Sequence, residues 1–145
     1  MKIKLYILSS FCFILVGIAV LSCTTQQTPE KEDNNTLEGV WKLVSGEWSM
    51  QDSVITFPGS DLKGVKSYKC LGKTTFAIVG QDTASDMHWA HAGKYRTAGD
   101  TYVEYFEITK NINRIGDSAV YKYTLDGDKW IISSDRLKEE WKRIE

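Results

Sequence analysis

The stretch AVYKYTLDGDKWIIS, from Ala119 to Ser133, decides how this chain is read. Ala119–Leu125 and Lys129–Ser133 are rich in β-branched and aromatic residues, which suit a pleated, half-buried surface. Between them lies Asp126-Gly127-Asp128. Asp-Gly between two alternating segments suits a type I′ turn, in which both central residues take positive φ. The stretch therefore predicts a β-hairpin.

The same pattern extends in both directions. Toward the C-terminus, Leu137–Ile144 has helical propensity in its Lys and Glu residues. However, Leu137, Glu139, Trp141 and Arg143 alternate with Lys138, Glu140, Lys142 and Ile144, which predicts a strand. Toward the N-terminus, Thr101–Ile108 and Gly93–Thr97 flank Ala98-Gly99-Asp100. Thr74–Val79 stops at Gly80, Gly64–Cys70 near Gly72, and Ser53–Phe57 at Pro58-Gly59; Gly39–Ser45 comes first. Nine short candidates in meander order predict an all-β fold, an up-and-down antiparallel barrel of eight strands that closes its own edges. Ser53–Phe57 is expected to stand outside the barrel, in a long loop between its first and second strands.

Composition narrows the classes. A chain of 145 residues fits one domain. With 18 Lys+Arg against 19 Asp+Glu there is no electrostatic case for nucleic acid. An apolar fraction of 42% is too high for a disordered chain, and 3 Cys cannot build a disulfide scaffold.

The first residues read as an address. Lys2 and Lys4 precede the apolar run Leu5 to Leu21, which ends in Val20-Leu21-Ser22-Cys23. A charged start, an apolar stretch and a small residue make a secretory signal. The run is short for a spanning helix. Its end resembles the lipobox of bacterial lipoproteins, which implies a diacylglycerol on Cys23 and cleavage just before it. The expected organisation is a lipoprotein signal helix at 1–22, a flexible tether at 23–36 and a barrel domain at 37–145. The tether TTQQTPEKEDNNT is polar throughout. Removing 1–22 takes away two lysines and no acids, so the formal charge moves from −1 to −3. Cys12 leaves with the signal, and Cys70 remains as a lone thiol, expected in the core.

Gly39-Val40-Trp41 resembles the Gly-x-Trp of the lipocalins and their calycin relatives. In those barrels the Trp closes the bottom, and an Arg from the last strand lies across its ring. The resemblance implies that role for Gly39, Trp41 and Arg143. Four stretches resemble a narrower group, the lipocalin-like lipoproteins of anaerobic gut bacteria. They are Leu37–Val44, Thr74–Val79, Gly93–Glu107, and Tyr123–Trp130 together with Glu139–Arg143. This resemblance implies a β-barrel with an internal cavity and no reaction. By analogy with enteric sorting, Thr24 after the Cys argues against retention at the inner membrane, and Lys31-Glu32-Asp33 resembles the acidic surface-export signal of related lipoproteins; an outer-membrane location is expected, on either its periplasmic or its surface face. Asp52-Ser53-Val54, Asp82-Thr83-Ala84 and Asp117-Ser118-Ala119 resemble the O-glycosylation acceptor of exported proteins of these bacteria, with Ser53, Thr83 and Ser118 as acceptors. Chance gives roughly 0.6 such matches.

Side-chain parity suggests the site. On Thr101–Ile108 one face carries Tyr102, Glu104, Phe106 and Ile108; the other carries Thr101, Val103, Tyr105 and Glu107. Neither is purely apolar, which predicts a polar-aromatic cavity. Tyr95, Tyr102, Glu104, Phe76 and Trp89 are the expected ligand-binding residues. A buried Glu104 needs a partner, either Arg96 or a ligand donor. His88 and His91 would face opposite ways on a strand, so no metal is expected, nor any cofactor. Gln81–Ala92 reads as a lid over the barrel mouth, with Trp89 as its apolar contact. Gly116-Asp117-Ser118 resembles a block of certain esterases, but both histidines lie upstream of the Ser, in the wrong order for that chemistry.

The leading expectation is a monomeric, non-enzymatic binding protein. It would hold a small apolar or amphipathic ligand and reach the membrane through lipid on Cys23. The alternative is an interaction module with a filled barrel, contacting an envelope protein or a glycan. A small enzyme using Glu104 with a Tyr is the third.

Overall fold

The structure, a computed structural model, describes residues 36–59 and 64–145. The expected signal segment, the lipidation site Cys23 and the tether up to residue 35 lie outside the described residues. Nine strands follow in order: β1 Gly39–Ser49, β2 Val54–Phe57, β3 Val65–Leu71, β4 Thr75–Asp82 and β5 His88–Ala98, then β6 Thr101–Thr109, β7 Ser118–Asp126, β8 Lys129–Ser134 and β9 Leu137–Arg143. They form one antiparallel sheet in the order β2-β1-β3-β4-β5-β6-β7-β8-β9, and β9 returns to pair with β1. Eight strands therefore close a barrel, as the meander order predicts. Among the described residues the only helical element is a 3₁₀ turn at Ile112–Arg114.

β2 is the strand left outside the closed ring. It is not loop, however. Gly39–Lys42 pair with β3, and the second half of β1, Gly46–Ser49, pairs with Phe57–Val54 instead. Where β3 parts from β1, the exposed N–H and C=O groups of β1 take a new partner.

Antiparallel order sorts the connections to two ends. The β3–β4, β5–β6 and β7–β8 turns share one end with the start of β1 and the finish of β9. That end is closed. Trp41 is fully buried there and its Nε1 donates to the Leu37 carbonyl at 2.9 Å. The Arg143 guanidinium lies 4.2 Å from the Trp41 ring centroid, donates to the Thr36 and Glu38 carbonyls, and approaches Asp128 at 3.6 Å. Gly39 has φ +131, and a Cβ there would collide with the Glu145 carbonyl oxygen. Gly39, Trp41 and Arg143 thus meet at one end of the barrel.

The Asp126-Gly127 hairpin forms by a different turn than expected. Gly127 has φ +55, but no non-glycine residue among those described has positive φ, so Asp128 does not and the turn is not type I′. The Asp128 carbonyl accepts the Arg143 N–H at 2.8 Å, tying the turn to β9.

Two bulges shift the side-chain phase. On β1, Leu43 faces Trp141 and Ser45 faces Glu140, leaving Val44 as the extra residue. Before it Trp41 and Leu43 point in; after it Gly46 and Trp48 do. On β6, Phe106 pairs with Gly93 and Ile108 with Ala92, leaving Glu107 extra. Ile108, expected on the face of Tyr102, is consequently 66% exposed, while Thr109 turns in. Gly93 permits the bulge, because a Cβ there would strike the Tyr105 carbonyl.

Two further expectations are corrected. Gln81–Ala92 is no lid: β4 runs through Asp82, β5 starts at His88, and only residues 83–87 turn. The Asp82 carboxylate pins that turn, accepting from the Ser85 hydroxyl at 2.8 Å and the Gly64 N–H at 3.1 Å. Trp89 folds across Gly80, its cross-strand partner, where a Cβ would sit. Cys70 is exposed, not core. Alternation on β3 turns Val65, Ser67, Lys69 and Leu71 inward and Cys70 out.

Candidate ligand-binding cavity

The closed half of the barrel is filled by aromatic rings. Trp41, Trp130, Trp141 and Tyr102 are all essentially inaccessible. Tyr102 meets Trp130 edge-on at 5.2 Å, and Trp41 meets Trp130 at 5.4 Å. Toward the other end lies a cavity of about 400 Å³. Leu43, Ile78, Phe106 and Ile132 form apolar wall, and Trp48 and Trp89 bring indoles to it. Met50, Met87 and Arg114 also line it, from the loops or turns at the open end.

Charged groups reach this space from three strands, Lys69 from β3, Glu104 from β6 and Glu139 from β9. Lys69 Nζ stands 2.9 Å from Glu104 Oε1, with side chains only 2% and 5% exposed. The Tyr102 hydroxyl donates to the same oxygen at 2.8 Å. The ammonium also sits 4.9, 5.0 and 5.7 Å from the centroids of Trp141, Trp130 and Tyr102, so three rings surround it. Glu139 is held differently. Trp48 Nε1 donates to its Oε1 at 2.9 Å and Trp141 Nε1 to its Oε2 at 3.0 Å. Burial raises the Glu139 pKa, and Lys69 and the two indoles pull it back only in part.

The phenols stay protonated. Burial, reinforced by the negative Glu104, drives the Tyr102 and Tyr121 hydroxyls well above the usual tyrosine range. His91 Nδ1 lies 2.9 Å from Thr109 Oγ1, and burial followed by the Arg114 charge lowers its pKa from 6.5. The Arg114 guanidinium stacks 4.4 Å from the Phe106 centroid.

Of the expected binding residues, Trp89 and Glu104 line the cavity. Phe76, Tyr95 and Tyr102 point into the barrel but belong to its packed part. Phe76 meets Phe106 edge-on at 6.0 Å, and the Tyr95 hydroxyl donates to the Gly72 carbonyl at 2.7 Å. Arg96 is not the partner of Glu104. It follows inward Tyr95, so it faces outward and donates to the Tyr105 hydroxyl at 2.6 Å. Lys69, Glu139, Trp48, His91 and Arg114 went unread as site residues. For Glu139 a signal existed, since it shares a face with Leu137 and Trp141. His88 and His91 face opposite ways on β5. Ser53, Thr83 and Ser118 are all exposed, but the Asp82 of the second motif is spent on its turn.

Glu139 gives a pH signature. Its folded pKa exceeds its ordinary value of 4.5, so between the two the native state holds the extra proton. Its contribution to stability is therefore full at low pH and falls as pH rises through that window. Urea midpoints measured upward from pH 4.5 should carry this downward component, and Glu139→Gln should remove it. Parallel pH profiles for the two chains would contradict the assignment.

Comparison of the chain with protein-family models, with curated proteins and with solved structures finds no match in any of the three.

Proposed function

We propose that this protein is a lipocalin-like lipoprotein, anchored to the cell envelope through Cys23, that binds a small, partly apolar ligand in its barrel. The observation that carries the binding reading is the half-filled interior: rings pack one end, and about 400 Å³ stays open beside apolar walls and fixed polar groups. Small-molecule sites span roughly 300–1,000 Å³, mostly apolar with a few placed polar groups. Each Å² of apolar ligand surface buried contributes about 25 cal/mol. The charged residues would set orientation. A filled barrel acting only through its loops fits less well, because the open half is hollow. Catalysis by Glu104 also fits less well. Its Oε1 is occupied by Lys69 and Tyr102, and the Tyr102 phenol is held protonated.

The lipid anchor at Cys23, the tether and an outer-membrane address rest on the N-terminal sequence. Trp41 beneath Arg143 at the closed end supports the lipocalin resemblance.

Native mass spectrometry of the protein purified from its own membranes tests both parts. The expected result is polypeptide starting at Cys23 with a covalent diacylglycerol, plus a small molecule released on denaturation. Ile78→Trp, which fills the cavity, should lose the small molecule and keep the lipid. Unlipidated chain would overturn the anchor. A cavity that carries nothing and takes up no apolar probe would overturn the binding reading.

A further inference from the structure

The formal charges lining the cavity cancel, Glu104 and Glu139 against Lys69 and Arg114, but they are not paired one to one, and the pairing indicates what it accepts. Two carboxylates, Glu104 and Glu139, line the space with one buried lysine. Lys69 is committed to Glu104 at 2.9 Å and enclosed by three rings. Glu139 is met only by indole N–H donors, which are neutral. The cavity-lining Arg114 is stacked on Phe106, on the β6–β7 connection, and His91 is shifted toward its neutral form. One negative charge therefore remains without a bonded cation partner among the described residues.

A second observation points the same way. Both hydrogen bonds to Glu104, from Lys69 and from Tyr102, fall on Oε1. Its Oε2 has no partner among the described residues, although the residue is only 4% exposed and lines the cavity. That oxygen keeps accessible surface on a cavity-lining residue, so a ligand's N–H can reach it and supply the missing donor.

We propose that the cavity holds a subsite for the protonated amine of an amphipathic ligand, received by the Glu139 carboxylate and the free oxygen of Glu104. An ammonium brings three donors and one positive charge, and both acceptors are already held in place. The apolar body of the ligand lies against Leu43, Ile78, Phe106 and Ile132. An anionic ligand would find Arg114 at the open end but would leave Glu139 unanswered. This deepens the binding reading above and rests on it.

Calorimetric titration of the intact lipoprotein in detergent with phenylbutylamine, phenylbutanol and phenylbutyrate separates the two claims. The amine should bind about tenfold or more tighter than the alcohol, as a hydrogen bond to a charged group implies. Acidification that protonates Glu139 should erase the advantage of the amine and leave the alcohol unchanged. Glu139→Gln should do the same at neutral pH. If that variant does not fold, the unmodified protein's probe order and pH dependence decide the matter. Alcohol or carboxylate binding as well as the amine would overturn the amine subsite while leaving the cavity a binding site. No heat with any of the three would overturn both.

Discussion

Lys69→Met should cost the fold about 3–5 kcal/mol, the range for stripping one partner from a buried ion pair. Methionine nearly preserves the length and apolar stem of lysine, so the loss reports charge and not a void. Glu104 would keep only the Tyr102 hydroxyl, on a residue 4% exposed, beneath rings that offer no counter-charge. Lys69→Met with Glu104→Gln should recover most of the loss, since the pair costs much to break and little to replace. Denaturant unfolding of the two variants and the unmodified protein measures this. A loss below about 1 kcal/mol for Lys69→Met, the scale of an exposed pair, would contradict the buried pair described here.

Trp41→Ala should cost a further about 3–5 kcal/mol by an unrelated route, the cavity left by a large core side chain. Trp41 is fully buried, edge-on to Trp130, and bonded to the Leu37 carbonyl. Its removal also strips the surface on which Arg143 rests. Arg143 in turn holds the Thr36 and Glu38 carbonyls, so the entry to the barrel loosens with the plug. The melting temperature should fall by more than about 10 °C for a domain of this size. Arg143→Lys should cost less, about 1 kcal/mol, because it keeps the charge but loses the planar stacking group. An unchanged melting temperature for Trp41→Ala would show that the closed end does not depend on it.

The strands were legible because their signals are local. Alternation in Leu137–Ile144 separated strand from helix despite its lysines and glutamates, and β9 carries Glu139 and Trp141 inward as that alternation requires. Gly99 and Gly127, with φ +58 and +55, sit at the turns where the sequence placed them. The errors arose where parity was assumed to run unbroken. One extra residue at Glu107 expelled Ile108, and the mixed composition of Gln81–Ala92 concealed the hairpin that Gly80 and Trp89 build together.

The site was half legible for a different reason. Glu104 was placed inside correctly, but its partner comes from a strand 35 residues earlier. Trp48 and Glu139 stand 91 residues apart and bond through the join of β1 with β9. Residue types, hairpins and the inward face of each strand follow from neighbours along the chain, and for these the amino-acid order sufficed. Which inward residues meet depends on the tilt and stagger of a closed sheet and on bulges at Val44 and Glu107, and closure alone paired Lys69 with Glu104 and left Glu139 facing open space.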